Sequence, residues 1–154
     1  MTKLPDTATA QMFIRKPLAL VFNAFIDPQI TTKFWFTKST GKLKEGENVI
    51  WTWEMYDLDV PVQVKKISPL QNIQIEWGEG SDLSFANWEF KSFGEIGTYV
   101  TITNYNFIGS PAEVVNKVID STGGFTMVLA GLKAWLEHGV ELNLIGDKFP
   151  KEVT

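Results

Sequence analysis

Between residues 39 and 107, apolar and polar side chains alternate with a period of two, the spacing of strands that have one buried and one solvated face. Val49, Trp51, Trp53 and Met55 fall on one side, against Asn48, Thr52 and Glu54. The division recurs in Val60, Val62 and Val64 against Gln63 and Lys65, and in Ile73, Ile75 and Trp77 against Asn72, Gln74 and Glu76. Trp88 and Phe90 oppose Glu89 and Lys91, and in the last strand Val100 and Ile102 oppose Thr101 and Thr103, with Tyr99 and Tyr105 blurring the polar side. Gly41 and the Glu45-Gly46-Glu47 turn frame the first hairpin. Strands sharing one polar face predict an antiparallel sheet packed on its other side against something else.

The flanking segments follow a helical period. Residues 8–15 alternate loosely and predict a first strand, after which Lys16-Pro17 places proline at a helix start. Leu18, Val21, Phe22 and Phe25 then line one face of a short helix over 17–25. Asp27-Pro28 breaks it, and a second short helix is expected over 28–34, ending in Phe34-Trp35-Phe36. Ser110-Pro111-Ala112-Glu113 is a capping box that starts a long helix. The adjacent glycines of Ser121-Thr122-Gly123-Gly124 predict an interruption or kink, at about 1 kcal/mol each in a helix interior. Beyond them Phe125, Leu129, Leu132 and Leu136, flanked by Val128 and Trp135, continue to a stop at His138-Gly139. In the tail, Leu142, Leu144, Ile145 and Phe149 are expected to pack against the sheet or its rim. One strand, two short helices, about six more strands and a long helix make an α+β domain.

Composition narrows the function classes. The 154 residues suit one domain, and a chain of this size buries about 70% of its unfolded surface. A net charge of −4 without any Lys/Arg run argues against nucleic acid as a partner. The absence of cysteine excludes disulfides and thiolate chemistry and suits a reducing cytoplasm. Residues 1–10 lack the apolar core of a signal peptide, and nothing approaches the ~20 apolar residues of a membrane helix. Cytoplasmic location without membrane insertion is therefore expected. Six tryptophans in a chain that is 13% aromatic are a heavy load.

Four segments carry a resemblance to a known family. They are Ile14-Arg15-Lys16-Pro17 through Phe25, Asp27-Pro28 through Phe34-Trp35-Phe36, Gly97-Thr98-Tyr99-Val100-Thr101, and Gly124-Phe125 through Trp135-Leu136-Glu137-His138-Gly139. In order and spacing they resemble the START-like (SRPBCC, helix-grip) superfamily, in the branch named after the activator of the ninety-kilodalton heat-shock protein ATPase. The resemblance spans essentially the whole chain. It implies a curved antiparallel sheet of six or seven strands wrapped around a long C-terminal helix, enclosing a cavity. It brings no shared catalytic motif, and Phe125 stands where the family usually has Trp.

The ring set Trp51, Trp53, Trp77, Trp88 and Phe90 is expected to serve partly as core and partly as cavity wall, with Phe125 and Leu129 facing it from the closing helix. Phe34 and Trp35, beside Phe36, are expected at the cavity mouth as a gate. Asn104 and Lys133 are the polar groups expected to orient a ligand, and Lys133→Ala is expected to cost little stability. His138, the only histidine, reads as a helix-end cap. Glu54, Glu76, Glu89, Asp57 and Asp59 read as solvated charge, and no nucleotide, triad or metalloprotease motif occurs. No catalytic residue, metal or cofactor is expected. The reading is a monomer or weak homodimer that binds a hydrophobic small molecule such as a lipid, a polyketide-like compound or an aromatic metabolite. Its rivals are a chaperone-associated or stress-response partner protein and a cyclase- or hydratase-like enzyme using the same cavity.

Overall fold

The structure, a computed structural model, describes residues 3–150. The alternating region becomes strands β2 (Lys38–Ser39), β3 (Asn48–Trp53), β4 (Leu58–Ser68), β5 (Asn72–Trp77), β6 (Ser84–Ser92) and β7 (Thr98–Tyr105), with β1 (Ala8–Ile14) preceding them. All pairings are antiparallel, in one curved open sheet of order β1-β7-β6-β5-β4-β3-β2. The two elements farthest apart in the strand series thus become neighbours, Ala8 opposite Asn104 and Ile14 opposite Thr98. This pairing explains the Gly97-Thr98 motif. Any Cβ at Gly97 would collide with the Ile14 carbonyl oxygen, and the Thr98 hydroxyl donates to the Lys16 carbonyl at 3.0 Å.

The polar face of the sheet meets solvent, and the apolar face is the core. Val62, Val64, Ile73, Ile75, Ala86, Val100 and Ile102 are buried there. A bulge between Val64 and Lys66 lets Lys65 and Lys66 both reach solvent before the alternation resumes.

Helix α1 (Leu18–Ile26) buries Val21, Phe22, Ala24 and Phe25, and α2 (Pro28–Thr31) follows at once. The second helix is shorter than its sequence pattern suggests. Successive residues of a continued helix point about 100° apart, which would strand one of Phe34, Trp35 and Phe36 in water. Leaving the helix after Thr31 allows all three to be buried.

Helix α3 (Pro111–His138) opens on the expected capping box of Ser110 and Glu113 and ends at Gly139, but it does not break at Gly123-Gly124. Its burial of Val118, Phe125, Val128, Leu129 and Leu132, at roughly 1.5–3 kcal/mol for each large side chain, outweighs about 1 kcal/mol for each glycine. A short helix α4 (Leu144–Lys148) comes last.

Two residues fasten α3 to β1. The Lys133 ammonium donates to the Phe13 carbonyl at 2.8 Å and to Glu137 Oε2 at 2.7 Å, and that oxygen also accepts from the Arg15 backbone N–H at 2.8 Å. Burial pushes the Glu137 carboxyl up, but the Arg15 N–H and Lys133 outweigh it and leave the group below its ordinary 4.5. A carboxyl lowered on folding contributes stability that is full above its unfolded value and is lost as pH falls through the folded one. Glu137→Gln is therefore expected to cost about 1.5–3 kcal/mol at neutral pH, with the gap to wild type closing below pH 4.5. Urea denaturation at neutral and acid pH measures this, and a gap independent of pH would contradict it.

Candidate functional site

A cavity of about 460 Å³ lies between the apolar face of the sheet, α3 and α4. The sheet side is aromatic: Trp53 and Trp77 line it, with Trp35 reaching in from the segment after α2. Trp35 sits 4.8 Å from the Trp51 ring, 5.8 Å from Trp77 and 5.5 Å from Phe125, centroid to centroid. Edge and tilted contacts of this kind add to the stability of the wall. The helix side is hollowed. Lys117, Ser121, Gly124 and Val128 line the cavity from α3, three or four residues apart and so on one helix face. The small residues Ser121 and Gly124 leave space where longer side chains would fill it.

At one end the lining becomes polar. The buried Asn104 amide donates to Ser84 Oγ at 2.9 Å and to the Phe85 carbonyl at 2.7 Å, while its oxygen accepts from the Ser121 hydroxyl at 2.7 Å. The other boundary is α4, whose Ile145 and Lys148, with Phe149, close over the space. Tyr56 Oη donates to the Ile145 carbonyl at 2.8 Å and ties this flap to the turn before β4.

The family described as Activator of Hsp90 ATPase homolog 1-like protein matches residues 15–137. The chain belongs to this family. A crystal structure of a Staphylococcus saprophyticus protein is 28% identical, with a TM-score of 0.74, over 88% of this chain and 95% of that one. The Aha1 dimer from Colwellia psychrerythraea is 14% identical with a TM-score of 0.73, covering 86% of this chain and 97% of that one. DynU16, from the dynemicin biosynthetic locus, is 18% identical with a TM-score of 0.77, and the match covers 89% of this chain and 49% of DynU16. The last two likenesses speak for the fold alone. Comparison with curated proteins gives no match.

In this Activator of Hsp90 ATPase homolog 1-like chain, the structure brings Trp35, Trp53, Trp77, Asn104 and Phe125 together around the cavity. Phe34, Trp51, Trp88, Phe90 and Leu129 lie behind that wall as core. Phe34 packs edge-on against Phe25, Trp51 stacks on Phe36 at 4.7 Å, and Phe90 meets Phe22 at 5.1 Å. Trp88 is fully buried, its indole nitrogen without a hydrogen-bond partner among the described residues. Lys133 stands apart from the cavity, because the Phe13 carbonyl and Glu137 hold its ammonium at β1. Glu54, Asp57, Asp59 and His138 are exposed, and Glu76 is half-buried. Among the described residues no group of acidic or histidine side chains is placed to hold a metal ion, and no helix is long and apolar enough to cross a membrane.

Sequence reasoning placed Ile145 and Phe149 only against the sheet or its rim and missed Tyr56, Ser84, Ser121 and Gly124; all six line the cavity. The i, i+4 spacing of Ile145 and Phe149 was a usable signal for the flap. The exposed edge of the cavity lies away from the expected gate. Phe34, Trp35 and Phe36 are buried within the ring cluster, whereas Phe149 and Lys148 are exposed at the cavity's edge. A five-residue helix held by one side-chain hydrogen bond and a few apolar contacts opens at lower free energy than a core element. Amides of residues 144–148 are expected to exchange with deuterium faster than those of 129–136, and to slow when an apolar probe is bound. Equal protection of the two segments would remove the flap from the access route.

Proposed function

We propose that this chain binds an apolar, ring-containing small molecule, a lipid, polyketide-like compound or aromatic metabolite, seated against Trp35, Trp53, Trp77 and Phe125. The observation that carries the reading is the cavity itself. Its volume of about 460 Å³ falls within the roughly 300–1,000 Å³ typical of small-molecule sites. Its wall is aromatic, and the helix that faces the wall carries Ser121 and Gly124 where a packed core would carry large side chains. Each 100 Å² of ligand surface buried there contributes about 2.5 kcal/mol. Glu54, Asp57, Asp59 and His138 are exposed outside the lining, and the carboxylates that do line the cavity, Asp82 and Asp120, are exposed as well, which supports binding over a cyclase- or hydratase-like reaction that needs a buried acid or base.

Calorimetric titration with 2-isopropenylnaphthalene, a flat hydrocarbon, tests the proposal. Saturation at one molecule per chain is expected, and heat that grows without saturating would contradict it. The family description favours a second reading, in which the chain acts on a chaperone ATPase as a monomer or weak homodimer. Capture of a purified chaperone of the ninety-kilodalton class by the intact chain separates that reading from the first.

A further inference from the structure

The polar end of the cavity holds a hydrogen-bond chain whose direction is fixed by its chemistry. A backbone carbonyl can only accept, so the Asn104 atom 2.7 Å from the Phe85 oxygen is the amide nitrogen. That nitrogen therefore also donates to Ser84 Oγ at 2.9 Å, and the amide oxygen on the other side accepts from Ser121 at 2.7 Å. Both amide protons of Asn104 are used, and Ser84 enters the chain as an acceptor. Its own proton is left over. Ser84 is only 4% exposed, and among the described residues its hydroxyl donates no hydrogen bond. Buried hydroxyl protons are rarely left unpaired. Ser84 lines the same cavity as Trp53, Trp77 and Phe125.

We infer that Ser84 donates a hydrogen bond to the ligand, and that the ligand is an apolar ring system carrying an uncharged oxygen acceptor such as a ketone carbonyl. This rests on the cavity being the binding site. Ser121 and Asn104 act as positioning residues: they present the Ser84 oxygen with its acceptor capacity engaged and its proton turned to the cavity. The charged groups that line the cavity, Asp82 and Asp120 with Lys117 and Lys148, balance in sign, which favours an uncharged acceptor.

Two probes of nearly the same shape test it, 2-acetylnaphthalene and 2-isopropenylnaphthalene, which differ by a carbonyl oxygen in place of a methylene carbon. In calorimetric titrations Ser84→Ala is expected to weaken the ketone roughly five- to ten-fold, the value of one hydrogen bond, and to leave the hydrocarbon unchanged. Comparing each probe across the two proteins cancels their different affinities for water. With the carbonyl carbon labelled by ¹³C, the bound ketone is expected to resonate downfield of its position in cyclohexane, a readout the wild-type chain supplies even where the variant fails to fold. Equal weakening of both probes, or a bound carbonyl at its cyclohexane position, would overturn the donor while leaving the cavity reading intact. Failure of the hydrocarbon to bind the wild-type chain would overturn both.

Discussion

Gly124→Leu is expected to stabilise the fold and to abolish binding of 2-isopropenylnaphthalene. Gly124 lies inside α3, and a Cβ built there meets nothing within 4 Å. Replacing a helical glycine by a good helix former gains about 0.5–1 kcal/mol, and leucine buries apolar surface besides. The side chain has one place to go. Ser121, Gly124 and Val128 share the helix face that lines the cavity, so a leucine at 124 occupies ligand space. Affinity is expected to fall by more than about tenfold, the equivalent of 1.4 kcal/mol, while the urea midpoint rises. Filling space that is kept open for a ligand trades binding for stability, so opposite signs are expected where Gly124 faces the ligand. Binding that persists in a stabilised variant would place the ligand elsewhere.

Leu129→Ala and Leu132→Ala are each expected to cost about 2–5 kcal/mol, because both side chains are fully buried on α3 and truncation leaves a void that the sheet cannot close. Ile119→Ala on the same helix, at a side chain 65% exposed, is expected to stay within about 0.5 kcal/mol. Lys133→Ala is not the neutral control its sequence position suggests, since it removes an ammonium from the Phe13 carbonyl and Glu137. Chemical denaturation of the four variants measures the contrast. Similar small losses at all four would mean that α3 does not close the core.

The contrast between these helix positions shows where the sequence was readable. Period-two alternation located the apolar face of nearly every strand, because side-chain direction in a strand follows from backbone geometry alone. The capping box at Ser110 and Glu113 was equally direct, being local hydrogen bonding between residues three apart. The interruption expected at Gly123-Gly124 is absent for a reason outside the local sequence. Propensity costs are about 1 kcal/mol, and distant packing by Phe125, Val128 and Leu129 decides the matter.

The same distinction governs the cavity. The rings were identifiable as a set, but which of them back the wall and which line it depends on sheet curvature and on where α3 crosses. Trp51 and Trp53 share a strand face, yet only Trp53 reaches the cavity. The Ser84, Asn104 and Ser121 chain joins β6, β7 and α3 across 37 residues of sequence, 84 to 121, and no motif announces it. Lys133 was misplaced although Glu137, four residues on, was a readable helical partner; its second acceptor, the Phe13 carbonyl, lies 120 residues away and no local signal points to it.

Binding between the aromatic wall and α3 is read out by the indole N–H resonances of the six tryptophans in a ¹⁵N-labelled sample titrated with 2-isopropenylnaphthalene. Trp35, Trp53 and Trp77 line the cavity, whereas Trp135 lies outside the lining with the Lys33 ammonium 5.4 Å from its ring centroid. Saturable shifts of the Trp35, Trp53 and Trp77 signals are expected, with the Trp135 signal unmoved. Shifts of Trp135 equal to those three, or no shift in any of them at saturating probe, would contradict binding there.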